Sequence, residues 1–375
     1  MTEPAAASAD TRPYSPGLEG VVAGESSLSF IDGAGGRLLY RGYPIGELVR
    51  GGSYAAVAEL LWTGQWRPDA TLPCQPVPGN VISALRALPS TAKPMDALRT
   101  AVSVWGASQA LAWPPTPDQA RALTAFSPSA LAAFARLRRG LEPVEPDPDL
   151  DLVPGYLYQI NAEHPDPATA RALDAYFIVG AEHGFNASTF TCRVIVSTRS
   201  DLASAVCGAI GALKGPLHGG ANTAVMNMLL EIDRQGGAAV AAEWVRTALA
   251  QKKKISGFGH RVYKVDDPRA TRLRALSETL ARTPGNEPKW FDLSLAVAKA
   301  FQEQKNLPAN VDFYSASTYY VLGIPPDLYT PIFGVSRTSG WIAHVLEQHA
   351  NNRLIRPLSN YVGAGPRAYV PVDRR

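Results

Sequence analysis

The feature that most constrains the fold is a change in the pattern of apolar residues at about residue 46, from strand-like to helix-like. Before it, residues 14–45 contain short β-like runs, and the glycine-rich stretch 32–36 predicts a hairpin turn between residues 27–31 and 38–40. After it, apolar residues recur with helical spacing, and glycine and proline separate one helical segment from the next. Because helices follow helices without alternating strands, the sequence predicts an all-α protein with a short β hairpin near its N-terminus.

Ten segments carry the helical pattern strongly enough to be assigned. We predict helices over residues 55–62, 129–139, 168–183, 201–213, 222–235, 238–252, 268–283, 290–305, 312–322 and 331–350. Residues 1–13 are expected to form a loose arm, and residues 140–154, which are rich in proline and aspartate, a connector. The tail from Arg356 contains three prolines and is expected to be extended.

Length and charge narrow the class of protein. A chain of 375 residues is too long for one minimal core, so it predicts two domains or one domain with a large insertion. Apolar residues make up 46% and charged residues 18%, which is a globular composition. The net charge is +3 and the basic residues are dispersed except for Lys252–Lys254, so binding of duplex nucleic acid is not expected.

The sequence also bears on compartment and membrane. Its three cysteines match no zinc spacing, and their odd number argues against a disulfide framework. The N-terminus lacks the cationic and apolar regions of a signal peptide, and no apolar run reaches the ~18 residues of a membrane span. We therefore expect a soluble, cytoplasmic protein.

Three of the six histidines, His183, His218 and His260, lie beside glycine in non-helical or helix-boundary sequence. Glycine lets the backbone approach a ligand closely, which favours a binding site over an ordinary buried or surface imidazole. Zinc is an alternative, but the sequence has no His-Glu-x-x-His pair and no paired cysteines. We predict no metal.

The segment Gly257–His260 follows the lysine cluster and precedes Arg261, Lys264 and Arg269. A glycine-rich loop lined with cations can receive phosphate groups through backbone N–H groups and charge. It is not a Walker loop, because no Gly-x-x-x-x-Gly-Lys-Ser/Thr occurs. A solvated basic helix end is the alternative interpretation.

A carboxylate and three arginines complete the candidate chemistry. Asp312 opens an apolar helix, where it can be an N-cap, a carboxylate base facing a cleft, or both. Arg269, Arg337 and Arg356 can each pair in bidentate fashion with a carboxylate. Together these residues suit a small polycarboxylate and a phosphate-bearing cofactor, without naming the reaction.

Several motifs resemble those of the citrate synthase family. They are Gly17–Val22 with Tyr40–Ile45, then Glu182–Thr189 (EHGFNAST), Gly211–Asn222 (GALKGPLHGGAN), Gly257–Arg269 (GFGHRVYKVDDPR), Asn310–Ser315 (NVDFYS), Gly334–Arg337 and Arg356-Pro357. Their order and spacing are those of the family from about residue 17 to residue 365.

The resemblance implies an all-α, two-domain homodimer with its active site in the cleft between the domains. The large domain would combine residues 1–219 with residues 317–375, and the small domain would be residues 220–316. It further implies a cytoplasmic acyltransferase of the tricarboxylic acid cycle, joining acetyl-CoA to oxaloacetate through an enol. No cofactor would be permanently bound, and the CoA thioester would be a co-substrate.

The resemblance also assigns residues to roles. Asp312 would be the base, His218 would stabilise the enol, and His260 would donate to the ketone of oxaloacetate. Oxaloacetate would be held by His183, Asn186, Arg269, Arg337 and, from the partner subunit, Arg356. CoA would lie along Lys254, Ile255, Gly257, Phe258, Gly259 and Lys264 and near Lys305 and Asn310, with Lys252–Lys254 and Lys264 as candidates for its phosphates.

Three alternatives remain open at this point. A 2-methylcitrate synthase would use propionyl-CoA on the same motifs, and one methylene changes binding by only ~1–3 kcal/mol. A non-catalytic paralogue could bind CoA or dicarboxylates as a sensor, although such a protein should have lost Asp312 or a histidine. A helical scaffold without a ligand is disfavoured by the motifs clustered at glycines.

Overall fold

The computed structural model describes residues 13–111, 113–283 and 285–374, so the expected arm at residues 1–13 lies almost wholly outside the described residues. The chain divides into two compact units. One consists of the described parts of Met1–Glu25 and Leu354–Arg375, and the other is Ser26–Arg353. The first unit is largely irregular, with single helical turns at Pro16–Leu18 and Val372–Arg374.

The predicted hairpin is present. Strands β1 (Ser29–Asp32) and β2 (Arg37–Tyr40) pair antiparallel, and the two-residue strand β3 (Tyr43–Pro44) extends the sheet. Asp32 closes the turn by accepting hydrogen bonds from the backbone amides of Ala34 and Gly35, at 3.1 and 2.7 Å. The β-like run Val21–Val22 forms no strand in the described chain.

Fifteen α-helices occupy most of the described residues of Ser26–Arg353. They are α1 (Ile45–Gly51), α2 (Tyr54–Thr63), α3 (Gly79–Arg86), α4 (Pro94–Ser108), α5 (Pro117–Leu137), α6 (Leu152–Asn161), α7 (Pro167–Gly180), α8 (Ala187–Ser197), α9 (Leu202–Leu213), α10 (Ala221–Gln235), α11 (Ala241–Ala250), α12 (Pro268–Ala281), α13 (Lys289–Lys305), α14 (Val311–Val321) and α15 (Tyr329–Ala350). The predicted all-α class with a small N-terminal sheet is confirmed.

The prediction for helix α5 was wrong at its start. A helix was expected over 129–139, but it begins at Pro117, because Thr116 and Gln119 form a reciprocal capping box. Pro117 occupies the first turn, where its missing N–H costs nothing. Pro128 is accommodated inside the helix, where its neighbours are buried.

Helices α7 and α15 cross at very close range, and this crossing positions part of the site. A Cβ atom at Gly180 would lie 2.2 Å from Ser336 Oγ, and one at Gly340 would lie 2.0 Å from the carbonyl oxygen of Ala181. At Gly340 the obstacle is backbone, so only glycine fits there, whereas a larger residue at Gly180 would require the Ser336 hydroxyl to move. The close approach allows Arg337 Nε to donate to the carbonyl of Gly180 at 2.5 Å.

The loop before helix α12 is tied to the start of helix α14. The amide of Asn310 donates to the carbonyl of Gly257, and its side-chain amide donates to that of Gly259, each at 2.9 Å. A Cβ at Gly257 would lie 2.7 Å from the ring of Phe313, and its φ of +91° is a left-handed conformation that glycine adopts readily. The glycine-rich loop and Asp312 are therefore held together as one substructure.

In the described part of the chain no helix is both long and apolar enough to span a membrane.

Candidate active site

His183 lies in the short loop between helices α7 and α8, and its conformation is fixed from both sides. The hydroxyl of Tyr40 donates to the carbonyl of Glu182 at 2.8 Å and accepts from the Glu182 amide at 3.2 Å. The Glu182 carboxylate accepts from the amide of Gly184 at 2.5 Å. His183 is consequently held nearly buried, with 8% of its surface exposed.

A fully buried network supports this loop. His344 Nδ1 lies 2.9 Å from Arg193 Nη1 and must accept, because a guanidinium only donates. His344 Nε2 therefore donates to Glu182, at 3.0 Å. Burial alone would raise the pKa of Glu182, but His344 and the charge of Arg337 outweigh burial and hold this pKa below its usual value.

The neighbours of His218 determine which of its ring nitrogens carries the proton. The backbone amide of Ser188 donates to Nε2 at 3.3 Å, and the Ser188 hydroxyl lies 2.8 Å from the same nitrogen. Nε2 is thus an acceptor, and Nδ1 carries the proton. Burial, with the charge of Arg337, lowers the pKa of His218 to about 4, so the ring is a neutral N–H donor at neutral pH.

His260 has the opposite tautomer. Its Nδ1 accepts from the backbone amides of Val262 and Tyr263, at 3.0 and 3.2 Å, which leaves the proton on Nε2. Arg269 Nη2 lies 3.3 Å from this Nε2 and can only donate, so with the proton on Nε2 the two groups do not hydrogen-bond to each other, and both can donate to an acceptor placed between them. Burial and the charge of Arg269 lower the pKa of His260 to about 4. Such convergent donors suit an oxygen on which negative charge develops.

Arg269 and Arg337, both 2% exposed, differ in how their charges are balanced. Arg269 donates Nε and Nη2 to Asp267 at 3.0 and 2.8 Å, and Asp267 also accepts from the amide of Val311 at 3.3 Å. Among the described residues, no carboxylate lies within ion-pair distance of Arg337. Arg337 is therefore the cation better placed to receive a carboxylate from solution.

Asp312 lies in the first turn of α14 and is not its N-cap. That position is taken by Asn310, whose side chain accepts from the Asp312 amide at 3.1 Å. Burial raises the pKa of Asp312 to about 6, helped by the charge of Asp267 and opposed by the charges of Arg269 and Arg337. A partly buried carboxyl group with this pKa is suited to act as a base near neutral pH.

Comparison with known proteins decides the family. A family model described as "Citrate synthase, C-terminal domain" matches residues 17–358. The chain belongs to the citrate synthase family. The predicted family and the predicted transferase class of the citrate synthase type are confirmed.

Relatives with assigned names cover nearly the whole chain. "Citrate synthase" of Haloferax volcanii is 47% identical, with 96% of this chain and 98% of that protein covered. "Citrate synthase 2" of Bacillus subtilis is 45% identical over 96% and 98%. A "2-methylcitrate synthase" of Mycobacterium tuberculosis is 41% identical over 97% and 93%.

Solved structures of citrate synthases share the fold. That of Thermotoga maritima is 36% identical with a TM-score of 0.82, covering 96% of this chain and 98% of that one. That of Thermoplasma acidophilum is 29% identical with a TM-score of 0.87, covering 97% and 100%, and is a ternary complex with carboxymethyl coenzyme A and oxaloacetate.

The residues predicted for CoA divide into two groups. Ile255 and Phe258 point into the protein: Ile255 is 8% exposed, and the Phe258 ring stacks on that of Phe301 with centroids 4.1 Å apart. At Ile255, Phe258, Gly257 and Gly259, a bound ligand would therefore contact the backbone and not a side chain. The exposed side chains of this set are those of Lys254, Lys264 and Lys305, and Asn310 is engaged in the loop contacts described above.

The last two predicted oxaloacetate residues are Asn186, whose Nδ2 donates to the carbonyl of His183 at 3.4 Å, and Arg356. Asn186 is the N-cap of α8, where its Oδ1 accepts from the amide of Thr189 at 3.1 Å. Arg356 is exposed and belongs to the other compact unit, so it is not among the residues that Ser26–Arg353 brings together.

Sequence reasoning missed several residues that contact the predicted site residues. Asp267 could have been found, since an aspartate followed by Pro268-Arg269 is a helix N-cap signal. Ser188 lies inside the first histidine motif but gave no sign of contacting His218. Tyr263 carried no signal, because its partner His183 is 80 positions away.

Proposed function

We propose that this protein is a citrate synthase that condenses acetyl-CoA with oxaloacetate and then hydrolyses the thioester to release citrate and CoA. The observation that carries the proposal is that the chain contains one carboxyl group of raised pKa, Asp312, together with two neutral histidines of opposite tautomer, His218 and His260. A methyl group beside a thioester is weakly acidic, so a carboxylate can remove its proton only if the oxygen that gains charge is stabilised at once.

Asp312 removes the methyl proton of acetyl-CoA, and His218 donates its Nδ1–H to the thioester oxygen. The resulting enol is stabilised by this hydrogen bond. His218 can serve because Ser188 satisfies its other nitrogen and its pKa of about 4 keeps it neutral. A charged imidazolium carries a proton on both nitrogens, so its Nε2 could not accept from the Ser188 amide.

The enol carbon then attacks the ketone of oxaloacetate. His260 donates its Nε2–H to the ketone oxygen, and Arg269 adds a second donor 3.3 Å from that nitrogen. Water completes the reaction by hydrolysing the thioester of the condensed product, which yields citrate and free CoA.

Oxaloacetate is held by its carboxylates. Arg337, which has no carboxylate partner among the described residues, is the principal cation, and Arg269, His183 and Asn186 complete the set within Ser26–Arg353. Arg356 joins them from the partner subunit. Holding the second substrate in place turns a bimolecular condensation into a positioned one.

CoA lies along the loop from Lys254 to Lys264, with Lys305 and Asn310 beside it. Exposed lysines at 252–254 and 264 supply positive charge for its phosphates, and backbone groups at Gly257 and Gly259 meet its chain. No cofactor is required beyond the CoA thioester itself.

A large domain of residues 1–219 with 317–375 and a small domain of residues 220–316 close on the substrates, which keeps water out before the carbon–carbon bond forms.

A homodimer is supported by exposed apolar side chains near the C-terminus, including Tyr361 and Val362. Free thiols at Cys74, Cys192 and Cys207 suit the reducing cytoplasm, where the enzyme would supply citrate to the tricarboxylic acid cycle.

The experiment is CoA release, followed with a thiol reagent, from acetyl-CoA or propionyl-CoA in the presence of oxaloacetate. We expect kcat/KM to be about 10- to 200-fold higher for acetyl-CoA, the range that one methylene provides. A higher value for propionyl-CoA would make the protein a 2-methylcitrate synthase, the name carried by relatives at 41% identity. No release with either substrate would favour a sensor.

A further inference from the structure

Tyr263 contacts three residues of the candidate site, His183, His260 and Arg269, and the proposed reaction gives its side chain no role. It lies in the loop between His260 and helix α12, with 2% of its surface exposed. Its hydroxyl oxygen is 3.1 Å from Nε2 of His183. Its backbone amide donates to Nδ1 of His260.

The ring of Tyr263 packs among the same side chains. Its centroid is 5.6 Å from that of His183 and 4.9 Å from that of His260. The guanidinium carbon of Arg269 lies 5.8 Å from the ring centroid. The phenol is thus fixed in place by contacts that do not depend on its hydroxyl.

The hydroxyl of Tyr263 can act as a hydrogen-bond donor at neutral pH. Burial raises the pKa of Tyr263 to about 12, with the charge of Arg269 opposing and that of Asp267 assisting, so the phenol stays protonated at neutral pH. Burial and the charges of Arg269 and Arg337 hold the pKa of His183 well below its usual value, so its imidazole is neutral. In the absence of a ligand, the hydroxyl therefore faces an uncharged ring.

We propose that Tyr263 is a further substrate-binding residue, whose hydroxyl donates to the same carboxylate of oxaloacetate that His183 holds. This inference rests on the proposed function. An oxygen bonded to His183 Nε2 lies within reach of the Tyr263 hydroxyl, because the two protein atoms are only 3.1 Å apart. A carboxylate is a stronger acceptor than a neutral imidazole, so the O–H turns to it. Its two oxygens can then accept from the Tyr263 hydroxyl and from His183 in the tautomer whose Nε2 carries the proton.

The test is Tyr263→Phe, which removes the hydroxyl and keeps the ring. We expect KM for oxaloacetate to rise about tenfold or more, the loss typical of a hydrogen bond to a charged group. KM for acetyl-CoA and kcat at saturating oxaloacetate should stay within about twofold. The matched control is Tyr156→Phe in α6, a buried tyrosine whose hydroxyl has no hydrogen-bond partner among the described residues, and it should leave both KM values unchanged.

A double-mutant cycle with His183→Asn tests whether the two side chains act on the same carboxylate. Two donors to one carboxylate should be coupled, so the double variant should raise KM for oxaloacetate by clearly less than the product of the two single effects. An unchanged KM in Tyr263→Phe would overturn the inference. So would strictly multiplicative effects, or equal rises in KM for both substrates.

Titration calorimetry of oxaloacetate into the wild-type protein distinguishes this inference from the proposed function. If the wild type binds oxaloacetate and releases CoA while Tyr263→Phe behaves identically, only the role of Tyr263 is overturned. If the wild type neither binds oxaloacetate nor releases CoA, the proposed function fails, and the role of Tyr263 fails with it.

Discussion

Asp267 and Arg269 form a buried ion pair that spans the start of helix α12, with the guanidinium Nη2 2.8 Å from the carboxylate and side-chain exposures of 2% and 3%. The same carboxylate accepts from the amide of Val311, immediately before Asp312. One acidic side chain thus joins an arginine of the site to the helix that carries the candidate base. Burial alone would raise the pKa of Asp267, but the charge and hydrogen bonds of Arg269 outweigh it and keep this pKa below its usual value.

Replacing Asp267 with asparagine should destabilise the fold by about 3–5 kcal/mol, because it leaves the buried Arg269 charge without its partner. Chemical denaturation measures this difference. The control is Asp292→Asn, which breaks an ion pair with Arg282 whose side chains are 47% and 54% exposed, and it should cost about 1 kcal/mol or less. Equal losses in the two variants would contradict the role given to Asp267.

The pH dependence of catalysis should follow Asp312. Its pKa is raised to about 6 and the base must be ionised, so kcat/KM for acetyl-CoA should rise tenfold per pH unit below that value and level off above it. His218 and His260 have pKa values lowered to about 4, so both rings stay neutral across this range. A profile that is flat between pH 5 and about 7 would show that another group is the base.

Asp312→Asn should lower kcat by about 10²- to 10⁴-fold, the usual contribution of a positioned base. The same variant should be as stable as the wild type at pH 8, or more stable. A carboxyl group whose folded-state pKa is raised contributes stability at low pH that is lost as pH rises through about 6, and asparagine never ionises. A Tm clearly below that of the wild type, with the activity loss, would instead indicate misfolding.

The hydrogen bond between Ser188 and His218 can be tested separately. Ser188→Ala removes a hydroxyl 2.8 Å from Nε2 and 3.1 Å from the Trp341 indole nitrogen. We expect kcat to fall about tenfold, because the proton of His218 is less firmly held on Nδ1. The matched control, Ser204→Ala at the exposed start of α9, should leave kcat unchanged.

Most helices could be predicted because their patterns are local. Helices α12 to α15 have clear apolar spacing bounded by glycine or proline, and their limits came within about two residues of those observed. Helix α8 was missed because it consists mainly of Ser, Thr, Cys, Val and Ile, which have lower helix propensity than Ala or Leu. Helix α6 was missed because it starts at the end of a stretch rich in proline and aspartate. Asp151, the last aspartate of that stretch, is its N-cap.

The site was predictable as a set of residue types and not as a geometry. Glycines beside His183, His218 and His260 marked unusual backbone, and that is visible in a sequence. Their protonation is set by contacts that a sequence does not display, such as the Ser188 amide on His218, 30 positions away. Whether Arg269 or Arg337 has an ion-pair partner likewise depends on which carboxylates the fold brings beside each arginine.

The most direct test of the central claim is the stoichiometry of products. Wild-type protein is incubated with acetyl-CoA and oxaloacetate, and CoA and citrate are quantified in the same samples. The account predicts equal amounts of the two products, each formed only when both substrates are present. Release of CoA without oxaloacetate, or without an equal amount of citrate, would contradict it and show a thioesterase instead of a condensing enzyme.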